Sequence, residues 1–294
     1  MKRILLTGGR GFIGRNILES WLSEKYQIVA PTHAELDLGD TEAVDSWFKA
    51  NRVDAIIHGA TKPGHRNAKD PTNLFYSNTR MFFNLARHAG DVQNMLTLGS
   101  GAIYDQRFYR PRMQEKEWRS HLPADDHGFS KYVCNVQIEN SASIVDLRIF
   151  GIFGPYEDYS IRFISNMICK ALFNLPLTMK QDRVFSYLWI EDLVPILDWF
   201  LSAAPKHKAY NIVPSETAKL QEIARSVLEV TGRDLPIRLQ AEGLGLEYSG
   251  DNSRLITEMP SVRFTSMRDS LERLAAWYAK RKDEIDIVAL MVDK

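Results

Sequence analysis

The stretch ILLTGGRGFIG, residues 4–14, is the tightest constraint on what this chain can fold into. Its first four residues favour a buried strand. They run into Gly8, Gly11 and Gly14, and a helical pattern over residues 12–23 begins at once. An apolar run without polar alternation suits a strand covered on both faces, as in a parallel sheet. Glycine permits the tight turn that leaves such a strand and lets backbone approach a pyrophosphate. The helix start then offers N–H donors and positive potential. The spacing is Gly-x-x-Gly-x-x-Gly, and a glycine triplet alone is weak. Here strand, turn and helix stand in the order that a dinucleotide-binding fingerprint demands, so the stretch reads as a dinucleotide site that includes Arg10, Phe12 and Ile13.

The same alternation continues through the first half. Strands are expected at 27–30, 54–58, 94–98 and 144–150. Helices are expected over Thr41–Ala50, with Thr41 as N-cap, over 74–89, and around His127 and Lys131. The 74–89 helix presents Met81, Phe82, Leu85 and Ala86 as an inward stripe. After Gly154-Pro155 the rhythm loosens into helices over 161–173, from Ile190, over 220–230 and over Met267–Ala279, with strands at 184–188 and 210–213. The pattern predicts an α/β fold, a doubly wound parallel sheet of the Rossmann-like kind over residues 1–155. A smaller mixed α/β lobe follows over 156–294, with segments near 184–213 returning to the main sheet. No internal repeat or low-complexity linker separates the lobes.

Composition removes several function classes. Lys and Arg together number 37, as do Asp and Glu, so there is no net basic charge to favour nucleic acid. Cys134 and Cys169 are the only cysteines and form no Cys-x-x-Cys, which points to a reducing cytoplasm and away from zinc. His58, His65 and His88 show no metal-ligand spacing. No apolar run approaches the ~20 residues of a membrane span, and Met1 leads straight into a strand with no signal-peptide core.

Six motifs recur in order along the chain: TGGRGFIG, HGAT at 58–61, GSGAIY at 99–104, a lysine closing a five-residue motif at Lys131, RIFGIFGP at 148–155 and RVFSYLWIED at 183–192. In this set the chain resembles an extended short-chain dehydrogenase/reductase of the NAD-dependent epimerase/dehydratase family, which acts on nucleotide-linked sugars. The resemblance runs from Met1 to about Tyr278. It implies a substrate role for the second lobe and a homodimer. It also implies further cofactor contacts at Gly59, Ala60, Thr61, Lys131 and Phe150, with Asp37 and Leu38 at the adenine. Ser100, Gly101 and Arg183 would meet the sugar nucleotide, Arg183 through its diphosphate, where bidentate geometry suits the anion. Arg107, Arg110, Arg112 and Arg119, in the loop after Tyr104, read as solvated. Gly151 stands where many relatives carry a substrate-contacting asparagine.

One position departs from the family. The motif is Tyr-x-x-x-Lys, whose tyrosine exchanges a proton with the sugar oxygen while hydride moves, whose lysine holds the nicotinamide ribose, and whose partner serine matches Ser100. Here residues 127–131 read HGFSK, with His127 one turn before Lys131 on the same helix face. The Lys131 charge disfavours imidazolium, and neutral imidazole is a poor acid that reaches less far than a phenol. The catalytic set Ser100, His127 and Lys131 is therefore expected to turn over weakly, with the ligand sites intact.

The same comparison narrows the reaction. Gly101-Ala102 replaces the Asp-Glu pair of 4,6-dehydratases, and Ala102 replaces the cysteine of fucose-synthase-like epimerising enzymes. Neither dehydration nor epimerisation by deprotonation fits. No carboxylate follows the second strand until Glu35, whereas Arg10 can face a 2′-phosphate, so NADP(H) is favoured, with NAD(H) as the alternative. The leading expectation is an NADP(H)-dependent reductase of a nucleotide-linked 4-keto-sugar, serving deoxysugar or surface-polysaccharide synthesis. A 4-epimerase and a catalytically silent binding protein are the alternatives.

Overall fold

The computed structural model describes residues 1–63 and 72–291. Its main sheet contains β1 (Arg3–Thr7), β2 (Gln27–Val29), β3 (Ala55–His58), β4 (Asn94–Ser100), β5 (Ile144–Ile149) and the strand Ala209–Ile212. All neighbours pair in parallel, in the spatial order Ala209–Ile212, β5, β4, β3, β1, β2. Side chains alternate across the sheet, so β1 serves two cores at once. Ile4 and Leu6 pack on one face with Ile17 and Leu22, while Leu5 packs on the other with Val44, Phe82 and Leu85. This is the doubly wound architecture expected from the unbroken apolar strands. From β1 the chain moves outward to β2, then returns and proceeds the other way through β3, β4 and β5. The reversal opens a crevice beyond the carboxyl ends of β1 and β3, the usual ligand position in such sheets.

Local chemistry sets the helix boundaries, in places differently from the expectation. The stretch expected over 12–23 is two helices, α1 (Phe12–Leu18) and α2 (Leu22–Lys25). The Ser20 hydroxyl donates to the Ile17 carbonyl at 2.7 Å and accepts from Leu22 N–H, which closes α1 and opens α2. Helix α3 (Thr41–Ala50) is capped by Asp40 rather than Thr41. The Asp40 carboxylate accepts from the N–H groups of Glu42 and Ala43, where it also complements the helix dipole. On α4 (Leu74–Ala86), Phe82 and Leu85 are buried as expected. Met81 and Ala86 are only partly so, because Asn78 and Asn84 take inward positions, and Asn84 donates to the Leu38 carbonyl at 2.8 Å. Helix α5 (Asp126–Glu139) begins at the Asp125 cap, whose carboxylate accepts from Gly128 N–H at 2.8 Å.

Beyond β5 the chain builds helices Phe163–Leu172, Ile190–Ser202, Leu220–Thr231 and Met267–Ala279. The expected strand over 184–188 is split by buried Ser186. Val184–Phe185 pairs antiparallel with Ala218–Lys219, and Tyr187–Trp189 pairs in parallel with Gly151–Phe153. Gly151 is part of that ladder, and a side chain there would collide with the Tyr187 ring at 2.7 Å. The space a larger residue would need is already filled by the tyrosine.

Candidate active site

The crevice is shaped first by backbone. Gly8 leaves β1 with φ +76°, a left-handed conformation that favours glycine. A Cβ on Gly8 would lie 2.8 Å from the backbone of Gly59 and Ala60, and one on Gly14 only 2.2 Å from the Gly8 carbonyl. The glycine loop, the start of α1 and the HGAT turn therefore touch backbone to backbone. Thr7 locks the junction: its hydroxyl accepts from Ala60 N–H at 3.2 Å and bonds the His58 ring at 2.8 Å. Burial pushes the His58 pKa down to about 3, with the Lys131 charge adding to the effect, so this histidine is neutral. Gly11 remains open, since a side chain there would approach only the Gly8 carbonyl, at 3.3 Å. That opening fits an incoming pyrophosphate.

Two cavities meet at Gly8, Gly11 and Thr61. One, of about 650 Å³, lies over the glycine loop and the end of β2, and is lined by Arg10, Asp37 and Leu38 as expected. It also gathers Lys62 and Arg80, which sequence reasoning missed; an arginine on α4 carries no local signal of a ligand. Glu35 accepts from Thr32 N–H at 2.7 Å and lies within the field of Arg10, which helps hold its carboxyl below the ordinary range. The other cavity, of about 740 Å³, runs from the glycine loop into the second half of the chain. Phe12, Ile13, Gly14, Gly59, Ala60 and Phe150 line the end nearest the glycine loop. Ser100, His127 and Lys131 converge deeper in the same space, from the end of β4 and the first turns of α5.

His127 thus faces the cleft rather than solvent. Its Nδ1 is buried without a hydrogen-bond partner. Burial is the larger cause that pushes its pKa down to about 4, and the Lys131 charge, named by the sequence reading, is the second. The ring is neutral at neutral pH. The Ser100 side chain accepts from Ala102 N–H at 3.1 Å, fixing the turn after β4. Two expected residues lie off the cavity wall. Gly101 is buried beneath it, against Phe150 and Tyr248. Arg183 stands at the rim, donating to the Leu246 carbonyl at 2.8 Å with its guanidinium 5.4 Å from the Phe185 ring, which does line the cleft. Of the loop arginines, Arg107 pairs with Asp105, Arg110 pairs with Glu117, and Arg112 donates to the Ser215 carbonyl.

The second half contributes groups that no sequence periodicity announced, notably Glu157, Arg162, Tyr187 and Tyr248. Burial pushes the Glu157 carboxyl up to about 8, although the Ser165 hydroxyl donates to it at 2.5 Å. A carboxyl whose folded pKa is raised favours folding fully below its unfolded pKa, and that contribution is lost as pH rises toward the folded value. Stability should therefore fall as pH climbs from about 4.5 to about 8. Glu157→Gln should remove that slope, leaving acid stability unchanged and adding on the order of 3 kcal/mol at the alkaline end. Urea unfolding at both ends of the window checks this; parallel losses in the two proteins would sink it.

Among the described residues no group of three His, Cys, Asp or Glu could hold a metal ion, and no helix is long and apolar enough to cross a membrane. His58 is tied to Thr7 and His88 to Asp45, while His65 lies outside the described residues.

Fold and crevice define an α/β protein with a dinucleotide cleft at the reversal of strand order. Residues 4–213 match the NAD dependent epimerase/dehydratase family, and the chain belongs to it. It is 25% identical to a GDP-L-fucose synthase of Azorhizobium caulinodans over 58% of this chain, spanning 60% of that protein's length. It is 30% identical to a GDP-L-fucose synthase of Sinorhizobium fredii over 79% of this chain and 80% of that one. A dTDP-4-dehydro-6-deoxy-D-allose reductase of a Streptomyces species is 24% identical over 96% and 97%. In fold, the chain superposes on a GDP-L-fucose synthetase of Naegleria fowleri with a TM-score of 0.82 at 17% identity, covering 100% of this chain and 95% of that one. A GDP-mannoheptose C4 reductase of Campylobacter jejuni with NADP bound gives 0.80 at 16% identity, covering 95% and 98%.

Proposed function

We propose that this protein is an NADP(H)-dependent reductase of a nucleotide-linked 4-keto-sugar, acting in deoxysugar or surface-polysaccharide synthesis. The observation that carries the reading is the continuous crevice joining the glycine loop to Ser100, His127 and Lys131. Residues 1–155 act as the dinucleotide half and 156–294 as the sugar half. Gly8, Gly11, Phe12, Ile13 and Gly14 hold the pyrophosphate, and Arg10 faces the 2′-phosphate. Asp37 and Leu38 meet the adenine, and Gly59, Ala60, Thr61, Lys131 and Phe150 line the path to the nicotinamide. The reduced dinucleotide supplies the hydride. Ser100 orients the sugar oxygen, Lys131 places a positive charge beside it, and the turn at Gly101 shapes that end of the cleft. The names of the relatives favour synthases and reductases over epimerases. Ala102 lines the cleft where a thiol base would be needed, and both cysteines are buried elsewhere. The protein acts in the cytoplasm as a homodimer, and the exposed apolar side chains Phe129 and Val136 on α5 support the homodimer.

Cations at the adenosine end support NADP(H). Arg10, Lys62 and Arg80 line that cavity, and Arg10 shares its field with Glu35. The test is absorbance-monitored oxidation of NADPH and NADH against a panel of nucleotide-linked keto-sugars, beginning with dTDP-4-dehydro-6-deoxy-D-allose. NADPH should be preferred, and Arg10→Ala should narrow the gap. Loss of the whole reading follows if no keto-sugar oxidises either cofactor.

Arg183 gives a separate check on the sugar half. Arg183→Ala should weaken sugar-nucleotide binding by about 1.5–3 kcal/mol, as one charge-assisted contact to phosphate is worth, while NADPH affinity stays put. Calorimetry with each ligand decides, because equal loss of both would make Arg183 a support of the fold.

A further inference from the structure

We propose that Tyr248 supplies the proton donor that position 127 lacks. This inference rests on the ketoreductase reading and names the acid of that same site. Tyr248 belongs to the irregular segment before helix Ser253–Glu258, which threads back over the cleft. Its backbone is pinned on both sides: its N–H donates to the Val184 carbonyl at 2.9 Å, and its carbonyl accepts from Ser186 N–H at 3.1 Å. Its ring is held between Phe150, Tyr109 and Phe185, with centroids 4.8, 4.9 and 5.5 Å away. A ring so enclosed has one direction in which to aim its hydroxyl. That hydroxyl lies at Gly101, next to Ser100, the group that orients the sugar oxygen, and both Ser100 and Tyr248 line the cleft.

Gly101 explains how the phenol reaches this place. A Cβ on Gly101 would come within 2.7 Å of the Tyr248 hydroxyl and within 2.7 Å of the Phe150 ring. Absence of a side chain next to Ser100 is thus the condition for the tyrosine's presence there. The substitution that removes dehydratase chemistry and the loss of the motif tyrosine are connected through one pocket. His127 lies on the wall of the same cleft, but burial and Lys131 keep its ring unprotonated. Tyr248 is the opposite case. Burial raises its pKa to about 12, with Tyr104 raising it less, while Ser100, Tyr109 and Arg162 oppose the rise, so a proton is always available to give.

The step balances simply. As the carbonyl carbon accepts hydride from the reduced dinucleotide, the C=O π pair moves onto oxygen. The Tyr248 O–H bond breaks and the carbinol O–H bond forms. The phenolate regains a proton from water in the cleft, on the side of the partly buried Tyr109 ring packed against it.

The experiment uses full-length protein carrying [ζ-¹³C]tyrosine, with the Tyr248 resonance assigned by its loss in Tyr248→Phe. Adding dTDP-4-dehydro-6-deoxy-D-allose with NADP⁺ should move that resonance, and dTDP alone should not. In turnover with NADPH, Tyr248→Phe should lower kcat at least about 10²-fold with KM and NADPH affinity little changed, whereas His127→Phe should cost less than about tenfold. Gly101→Ala should displace the Tyr248 resonance in the free protein and lower kcat alongside it. The proposal is overturned if the resonance stays fixed while the sugar nucleotide binds, or if Tyr248→Phe keeps the native kcat. A native protein that binds neither NADPH nor any sugar nucleotide overturns the ketoreductase reading itself, and this proposal with it.

Discussion

Replacing Arg148 with leucine should lower the free energy of unfolding by about 3–5 kcal/mol, the cost of breaking a buried ion pair from one side. Arg148 is fully buried in β5, and each of its three guanidinium nitrogens donates a hydrogen bond. Nε donates to Asp146 at 2.9 Å, Nη1 to the Tyr104 hydroxyl at 3.0 Å and the Glu115 carbonyl at 2.8 Å, and Nη2 to Asn135 at 2.9 Å. Leucine fills part of the volume but leaves Asp146 with Thr97 as its remaining hydrogen-bonding side chain. Desolvation of an uncompensated carboxylate outweighs any gain in apolar burial. The loss should also reach the active site. Arg148 ties β5 to α5 through Asn135 and to the segment after Ser100 through Tyr104, so the placement of His127 and Lys131 depends on it. Asp146→Leu together with Arg148→Leu should cost less than the sum of the single changes, because the stranded charge disappears. Urea unfolding by circular dichroism measures all three. A single-variant loss below 1 kcal/mol would sink the argument.

The same network shows how far sequence could reach. Continuous apolar strands and their connecting helices fixed the doubly wound sheet, because burial on both faces leaves a pattern that local reading detects. The glycine loop was legible for a similar reason: strand, turn and helix fall within one short window. Capping was off by one residue at α3, where Asp40 and Thr41 are both good caps and geometry alone chose the carboxylate. His127 was placed through its spacing to Lys131, although burial rather than the lysine dominates its chemistry. Tyr248, Glu157 and Arg80 were not legible. Each reaches the crevice through contacts with residues distant in sequence, from segments or helix positions that carry no motif. Arg183 was found by its motif, but its place at the rim was set by Leu246 and Phe185, which no local pattern pairs with it.

His127→Tyr should restore turnover to the Tyr248→Phe protein by about 10²–10⁴-fold, the usual worth of a positioned proton donor. Helix α5 makes this specific. Its start is fixed by the Asp125 cap, so residue 127 is held one turn before Lys131 with both side chains in the same cleft. A phenol at 127 reaches farther into the 740 Å³ cavity than imidazole does, toward Ser100. The Lys131 ammonium lowers its pKa while burial raises it, so the hydroxyl stays protonated at neutral pH and becomes a better acid than one without the cation. The native His127 ring, with its pKa near 4, cannot match this: it would have to bind a proton before giving one. In the native background the same change should have a much smaller effect, because Tyr248 already supplies the proton. The two sites should therefore be strongly non-additive, as expected for groups that share one task. NADPH oxidation by the four proteins of this cycle is the measurement. Rescue confined to the Tyr248→Phe background supports two interchangeable donors around Ser100. If His127→Tyr accelerates both backgrounds equally, Tyr248 is not the acid, and the proton in the present chain comes from elsewhere in the cleft.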